Sequence, residues 1–273
     1  MKSLAVLTTL VLGAVLAGSA SASPQPRLYH VSSTSSNWAG YAVTGSTFTD
    51  VKGTWVQPAV DCSTVSNAAY AAFWVGIGGF SSDGGGGLEQ TGTEADCRNG
   101  QPSYSAWYEL LPDASIPVPL TIGAGDTITA EVSIAVPAVT LTLTDVTSGQ
   151  TYSTQATPQL LDTSSAEWIA EAPSQCYSAN RCTQLPLANF GTVAFSGSST
   201  TANGHVGTIS DASWSSTSIN LGGSAGSAVP AGLSPDGSGF SVSFTTPQPT
   251  VTQPQPKPKP KAKPAPKRRH HRR

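Results

Sequence analysis

Histidine is nearly absent from the part of this chain that reads as a folded domain. Of its four histidines, His30 lies near the start and His270 and His271 near the end, which leaves His205. A Ser-His-Asp triad would depend on that single imidazole. Gly222-Gly223-Ser224-Ala225-Gly226 has the spelling G-x-S-x-G, but it reads as a Gly/Ser loop, not the strand-turn-helix that a nucleophile elbow needs. There is no H-E-x-x-H and no G-x-x-x-x-G-K. Asp-Thr-Gly and Asp-Ser-Gly, the marks of a two-aspartate protease, are also missing. The four cysteines include no C-x-x-C pair and no histidine at ligand spacing, so neither a metal nor another cofactor is expected.

Positive charge is equally scarce between Leu28 and Thr246. Only Lys52, Arg98 and Arg181 lie there, against all sixteen acidic residues, a formal charge of −13. Such self-repulsion weakens a fold near neutral pH and is relieved in acid, which suits a protein working at low pH. Nine of the fourteen Lys and Arg residues fall in Lys257–Arg273, where Pro and Lys alternate. That composition cannot bury apolar surface, so residues 247–273 read as a disordered basic tail. Adhesion to an anionic polymer such as bacterial wall material, or to acidic lipid, is the expected use of the tail. Nucleic acid is not expected as a partner, and the protein is expected to be a monomer.

Apolar runs are short, apart from one near the start. Lys2, the stretch Leu4–Leu16 and the small residues Ala20-Ser21-Ala22 have the layout of a cleaved signal peptide over residues 1–22. Residues 23–36 then read as a short leader or propeptide. Export permits disulfides, and an even cysteine count fits them. Cys176 and Cys182 enclose a short loop and are paired with each other, leaving Cys62 with Cys97; three connectivities are formally open. The expected location is extracellular, with cell-surface association through the tail.

Residues 37–246 carry a strand pattern. Ile128, Ala130, Val132 and Ile134 alternate with polar neighbours, as do Val139, Leu141 and Leu143, and Phe240, Val242 and Phe244. Period two with β-branched residues signals strands with one face in a core. Gly125-Asp126, Ser148-Gly149 and Asp236-Gly237 supply turns. No long amphipathic helix is evident. The expectation is one all-β domain, a sandwich of two sheets.

What remains for chemistry is carboxylate and amide. In Leu88-Glu89-Gln90-Thr91-Gly92, alternation puts Leu88, Gln90 and Gly92 on one face; in Ala166-Glu167-Trp168-Ile169-Ala170-Glu171 it groups Glu167, Ile169 and Glu171. Tyr104-Ser105-Ala106-Trp107-Tyr108-Glu109 groups Ser105, Trp107 and Glu109, and Trp74 opens Trp74-Val75-Gly76-Ile77-Gly78-Gly79. Glu89 and Glu167 read as structural or outward-facing.

These four blocks, with Ser36-Asn37-Trp38-Ala39-Gly40-Tyr41 ahead of them, resemble in order and wording the glutamic peptidases, or eqolisins. The likeness is clear over residues 37–195 and suggests a secreted bacterial member. It implies a lectin-like, concanavalin-type sandwich of two antiparallel sheets and endopeptidase cleavage of proteins in acid. It puts the catalytic pair on Gln90 and Glu171, with Trp74, Trp107 and Glu109 lining the substrate groove. Glu171 would act as general base and then acid on a bound water, and Gln90 would stabilise the oxyanion. That base role asks the surroundings to keep burial from raising the pKa of Glu171 much. Fungal members often carry Asp at the positions of Gly78 and Ser105. Two other readings stand beside this one. The first is a carbohydrate-binding module with exposed tryptophans; the second is a glycoside hydrolase pairing Glu171 with Glu109, which has no need of Gln90.

Overall fold

The computed structural model describes residues 31–246, except 64, 66, 81–85 and 179–180. The expected signal peptide, the first part of the leader and the basic tail lie outside the described residues. The chain runs through β1 (Val31–Ser35), β2 (Trp38–Thr44), β3 (Phe48–Val56), β4 (Ala68–Ala69), β5 (Ala72–Gly78) and β6 (Leu88–Arg98). Next come β7 (Gln101–Leu110), β8 (Ile116–Val118), β9 (Thr127–Ala135), β10 (Ala138–Asp145), β11 (Gln150–Ala156) and β12 (Ser165–Glu171). The last are β13 (Ser174–Ser178), β14 (Arg181–Gln184), β15 (Thr192–Ala202), β16 (His205–Thr208), β17 (Ser215–Gly223), β18 (Gly226–Pro230) and β19 (Phe240–Thr245). Among the described residues there is no helix.

Pairing sorts the strands into two layers. One is ordered β1-β17-β2-β12-β5-β6-β7-β8, antiparallel except that β1 runs parallel to β17. The other is ordered β18-β19-β15-β3-β9-β10-β11 and is antiparallel throughout. The β17–β18 hairpin joins them, and Ser224 sits in its turn. The chain is therefore an all-β sandwich. The expected leader overlaps the sheet, because all five residues of β1 are paired with Thr217–Leu221.

Between the layers lies one large core. Tyr41, Phe73, Val75, Ile77 and Trp168 from the first sheet meet Phe48, Trp55, Ile128, Leu141, Phe195 and Phe240 from the second. The second layer keeps the alternation expected of it: β9 and β10 bury every other residue. In the first layer, β5 is buried along its whole length and β12 at all but its last position. Both are covered on two faces, and a smaller apolar cluster of Ala42, Ala72, Trp74, Leu88, Trp107, Ile169 and Ile219 forms on the face turned away from the main core. Cys62–Cys97 and Cys176–Cys182 are disulfides. The first closes a 35-residue separation and ties the entry to β4 onto the end of β6.

Candidate active site

Directly paired residues on neighbouring strands share a face, so the register of the first layer maps its outer surface. One row runs Trp38, Glu171, Ala72, Glu94, Ser105. The next runs Gly40, Ile169, Trp74, Gly92, Trp107. The third runs Ala42, Glu167, Gly76, Gln90, Glu109. Gln90, Glu171, Trp74, Trp107 and Glu109 therefore stand on one face of five adjacent strands. Gly92 keeps Trp74 and Trp107 from being wedged apart: a Cβ there would lie 2.1 Å from the Phe73 carbonyl oxygen and 2.6 Å from the Trp74 Cβ.

Glu171, half-buried at the end of β12, is held on both oxygens. Trp74 Nε1 donates to Oε2 at 2.8 Å, and Asn37 Nδ2 donates to Oε1 at 2.9 Å. Burial nevertheless pushes its pKa up to about 7, against the pull of the Trp74 and Asn37 donors and helped by the charge of Glu109. The donors do not hold it near the ordinary carboxylate range, as the base role had asked, because desolvation outweighs them. Gln90 is buried, and its Nε2 donates to Glu109 Oε2 at 2.6 Å. Burial raises the pKa of Glu109 and nearby Glu94 adds to this, while the Gln90 donor opposes it.

The sequence profile of the Peptidase A4 family matches residues 36–244. The chain belongs to the Peptidase A4 family. It is 31% identical over 201 residues to aspergillopepsin-2 of Aspergillus niger, covering 65% of this chain and 68% of that one. It is 33% identical over 195 residues to scytalidopepsin B of Scytalidium lignicola, covering 68% and 71%. Its fold matches a crystal structure of scytalido-glutamic peptidase with a transition state analog inhibitor at TM-score 0.66 and 27% identity, over 77% of this chain and 98% of that one. Aspergilloglutamic peptidase from Aspergillus niger matches at TM-score 0.56 and 27% identity, over 65% and 99%. This Peptidase A4 chain is an enzyme, a glutamic-type endopeptidase, and the carbohydrate-binding and glycosidase readings fall away.

Several side chains of this peptidase are not where the sequence put them. Trp74 is completely buried, under Trp38, whose ring crosses it edge-on with centroids 5.0 Å apart. It therefore offers Glu171 an N–H and offers a groove little surface. Trp107 is buried too, and its indole N–H has no partner. Of the two readings for Glu89 and Glu167, structural or outward-facing, burial favours the structural one: both are fully buried, Glu167 beneath the cover of the outer face. Neither Glu89 oxygen has a hydrogen-bond partner, and burial together with the Asp162 charge pushes that pKa up to about 8. Burial raises Glu167 well above its ordinary range, Ser165 beside it offsetting little.

Two residues were missed outright. Glu94 shares a row with Glu171 and accepts from Ser105 Oγ at 3.0 Å. Asn37 was read only as part of an opening block. Period-two counting from Gln90 would have found Glu94; nothing in the sequence alone pairs Asn37 with a residue 134 positions away. Gly78 has φ +92, a backbone that fits glycine and would strain an aspartate. His205 pairs with Asp211 at 3.0 Å, away from this face.

Proposed function

We propose that Glu171 and Gln90 hydrolyse peptide bonds of protein substrates by acting on one water molecule. Glu171 as carboxylate takes a proton from the water as its oxygen bonds to the scissile carbonyl carbon. The carbonyl oxygen becomes an oxyanion and receives an N–H of Gln90. The C–N bond then breaks, and Glu171 returns its proton to the departing amine nitrogen, which leaves an acid and an amine. The carrying observation is the shared face: a carboxylate with two N–H donors, and an amide whose orientation is set by Glu109. With one Nε2 hydrogen engaged by Glu109, the other is free for the oxyanion.

Working pH follows from two opposing demands. Glu171 must be ionised to accept a proton, while Glu89 and Glu167 must stay neutral for the fold to persist. Glu171 gains its charge as pH rises toward about 7 and Glu89 keeps its proton up to about 8, so activity is a bell with its top between those two values. Residues 37–246 are the catalytic domain, and export through residues 1–22 of a bacterial secreted protein agrees with the two disulfides. The tail, 247–273, serves adhesion to an anionic surface polymer, and the enzyme acts as a monomer.

The test is cleavage of an unfolded protein substrate from pH 2 to 9. Gln90→Ala should lower kcat by about 10²- to 10³-fold, the usual loss for an oxyanion donor. Glu171→Gln should abolish turnover while the protein stays folded. Full cleavage by folded Glu171→Gln would end the reading.

A further inference from the structure

The residue that completes the Glu171 site comes from the N-terminal edge of the sheet, just after β1. We infer that Asn37 is a positioning residue for Glu171, and that the hydroxyl of Ser35 sets which end of the Asn37 amide faces it. This rests on Glu171 being the proton-transfer group proposed above.

The geometry is closed on every side. Asn37 Nδ2 donates to Glu171 Oε1 at 2.9 Å, while Asn37 Oδ1 accepts from Ser35 Oγ at 3.0 Å. An amide turned end for end would aim its oxygen at the Glu171 carboxylate and its NH2 at a hydroxyl already committed elsewhere. Ser35 Oγ is so committed: it accepts the backbone N–H of Trp38 at 3.1 Å and of Asn37 at 3.3 Å. Its own proton therefore points at Asn37 Oδ1, and one orientation of the amide is favoured. The Asn37 backbone is anchored as well, since its carbonyl accepts Ala172 N–H at 2.8 Å, one residue past Glu171. The preceding carbonyl, that of Ser36, accepts from the Gln184 side chain. β1 holds Ser35 in place through its pairing with β17, Ser35 opposite Leu221.

A cavity of about 360 Å³ opens beside this corner, lined in part by Ser33, Ser35, Asn37, Trp38 and Phe80. The clamp thus forms one wall of this cavity. Its chemical effect is to favour the carboxylate over the acid, as an N–H donor to a charged oxygen does. Around Glu171 the other donor is Trp74 from β5, with Trp38 from β2 lowering its pKa slightly. The charged groups facing it are Glu109 from β7 and Glu94 from β6, both acidic, with Glu167 on its own strand. No cation among the described residues faces it, so neutral N–H donors are what keep its ionised form accessible. A chain trimmed to begin at Asn37 would lack Ser35 and lose this clamp.

The experiment is a pH titration of Glu171 by carbon-13 NMR of labelled glutamate carboxyls, its signal assigned by its loss in Glu171→Gln, alongside kcat and KM profiles. The full chain is compared with Asn37→Ala, Ser35→Ala and Ser35→Thr. A hydrogen bond to a charged group is worth enough that Asn37→Ala should raise the Glu171 midpoint by about one pH unit and lower kcat about tenfold, with KM within about twofold. Ser35→Ala should move both in the same direction by less, and Ser35→Thr should restore them. An unmoved midpoint and kcat in folded Asn37→Ala overturns the role of Asn37. A moved midpoint in Asn37→Ala but not in Ser35→Ala overturns that of Ser35. If Asn37→Ala does not fold, the near-isosteric Asn37→Asp is read in its place, with an upward midpoint expected and an unchanged one overturning. The NMR arm reads Glu171 whether or not it is catalytic, so cleavage surviving in Glu171→Gln marks a failure of the functional reading alone.

Discussion

Gln90 Nε2 lies 2.6 Å from Glu109 Oε2, across directly paired residues of β6 and β7. This bond decides which end of the amide is fixed and leaves Gln90 Oε1 buried with no partner of its own. An amide without that anchor could turn over, presenting oxygen where a developing oxyanion needs hydrogen.

Glu109→Ala should therefore act through Gln90. The expected loss is about tenfold to a hundredfold in kcat, less than the full loss of one oxyanion donor. Glu109→Gln should lose less, because its amide oxygen still accepts the Gln90 N–H. Steady-state kinetics on a peptide substrate checks the order of the two variants.

Trp74→Phe keeps a ring in the smaller apolar cluster and removes one donor from Glu171. The Glu171 pKa, already about 7, should rise further, and the acid limb of kcat/KM should move to higher pH. The loss of the indole bond and some ring volume should cost about 1–3 kcal/mol of stability. Urea unfolding separates this cost from the kinetic shift.

Stability should fall as pH rises above weak acid. Glu89, with a pKa of about 8, and Asp96 and Asp50, at about 6, are all raised chiefly by burial, as is Glu167. A carboxyl raised by folding binds its proton more tightly in the folded state. Its contribution is fully present below the unfolded value near 4 and is lost as pH climbs through the folded value. Each unit of difference is worth about 1.4 kcal/mol once both states are ionised. Asp162 and Asp236 are lowered, Asp236 to about 2, so their contributions fade only below about pH 4. Urea midpoints should peak near pH 4 and decline toward pH 8, and Glu89→Gln should flatten the decline. A flat profile for the unaltered protein contradicts the buried-carboxyl account.

Replacing both Cys62 and Cys97 by serine opens the 35-residue separation they close. Chain-entropy arguments put the loss at about 3–4 kcal/mol. Because Cys97 lies next to the end of β6, the strand that carries Gln90, thermal unfolding and kcat should fall together.

Much of the second layer was legible in the sequence, and for a physical reason. Strands such as β9 and β10 have one wet face, so Ile128–Ile134 and Val139–Leu143 alternate visibly. β5 and β12 are covered on both faces, and there the periodicity that tells one face from the other disappears. Ordered blocks, and not the alternation pattern, are what single out Gln90 and Glu171 as candidates. The burial of Trp74, Glu89 and Glu167 could not be found either way, because it depends on which strands lie beside them. Asn37 is hidden for the same reason, since its partner belongs to a strand that starts 128 residues later (Ser165). Gly78 was noted as a departure from related sequences, and its left-handed backbone, with the Asp162 and Gly87 carbonyl oxygens 2.6 and 2.7 Å from where a Cβ would lie, accounts for the missing side chain.

β1 finds its place only beside β17, nearly the whole length of the domain away in sequence. The corner that steadies Glu171 can assemble only after Leu221 has been synthesised and delivered. A chain without β17 would leave β1 with no strand to pair with, and Ser35 without the pairing that holds it beside Asn37.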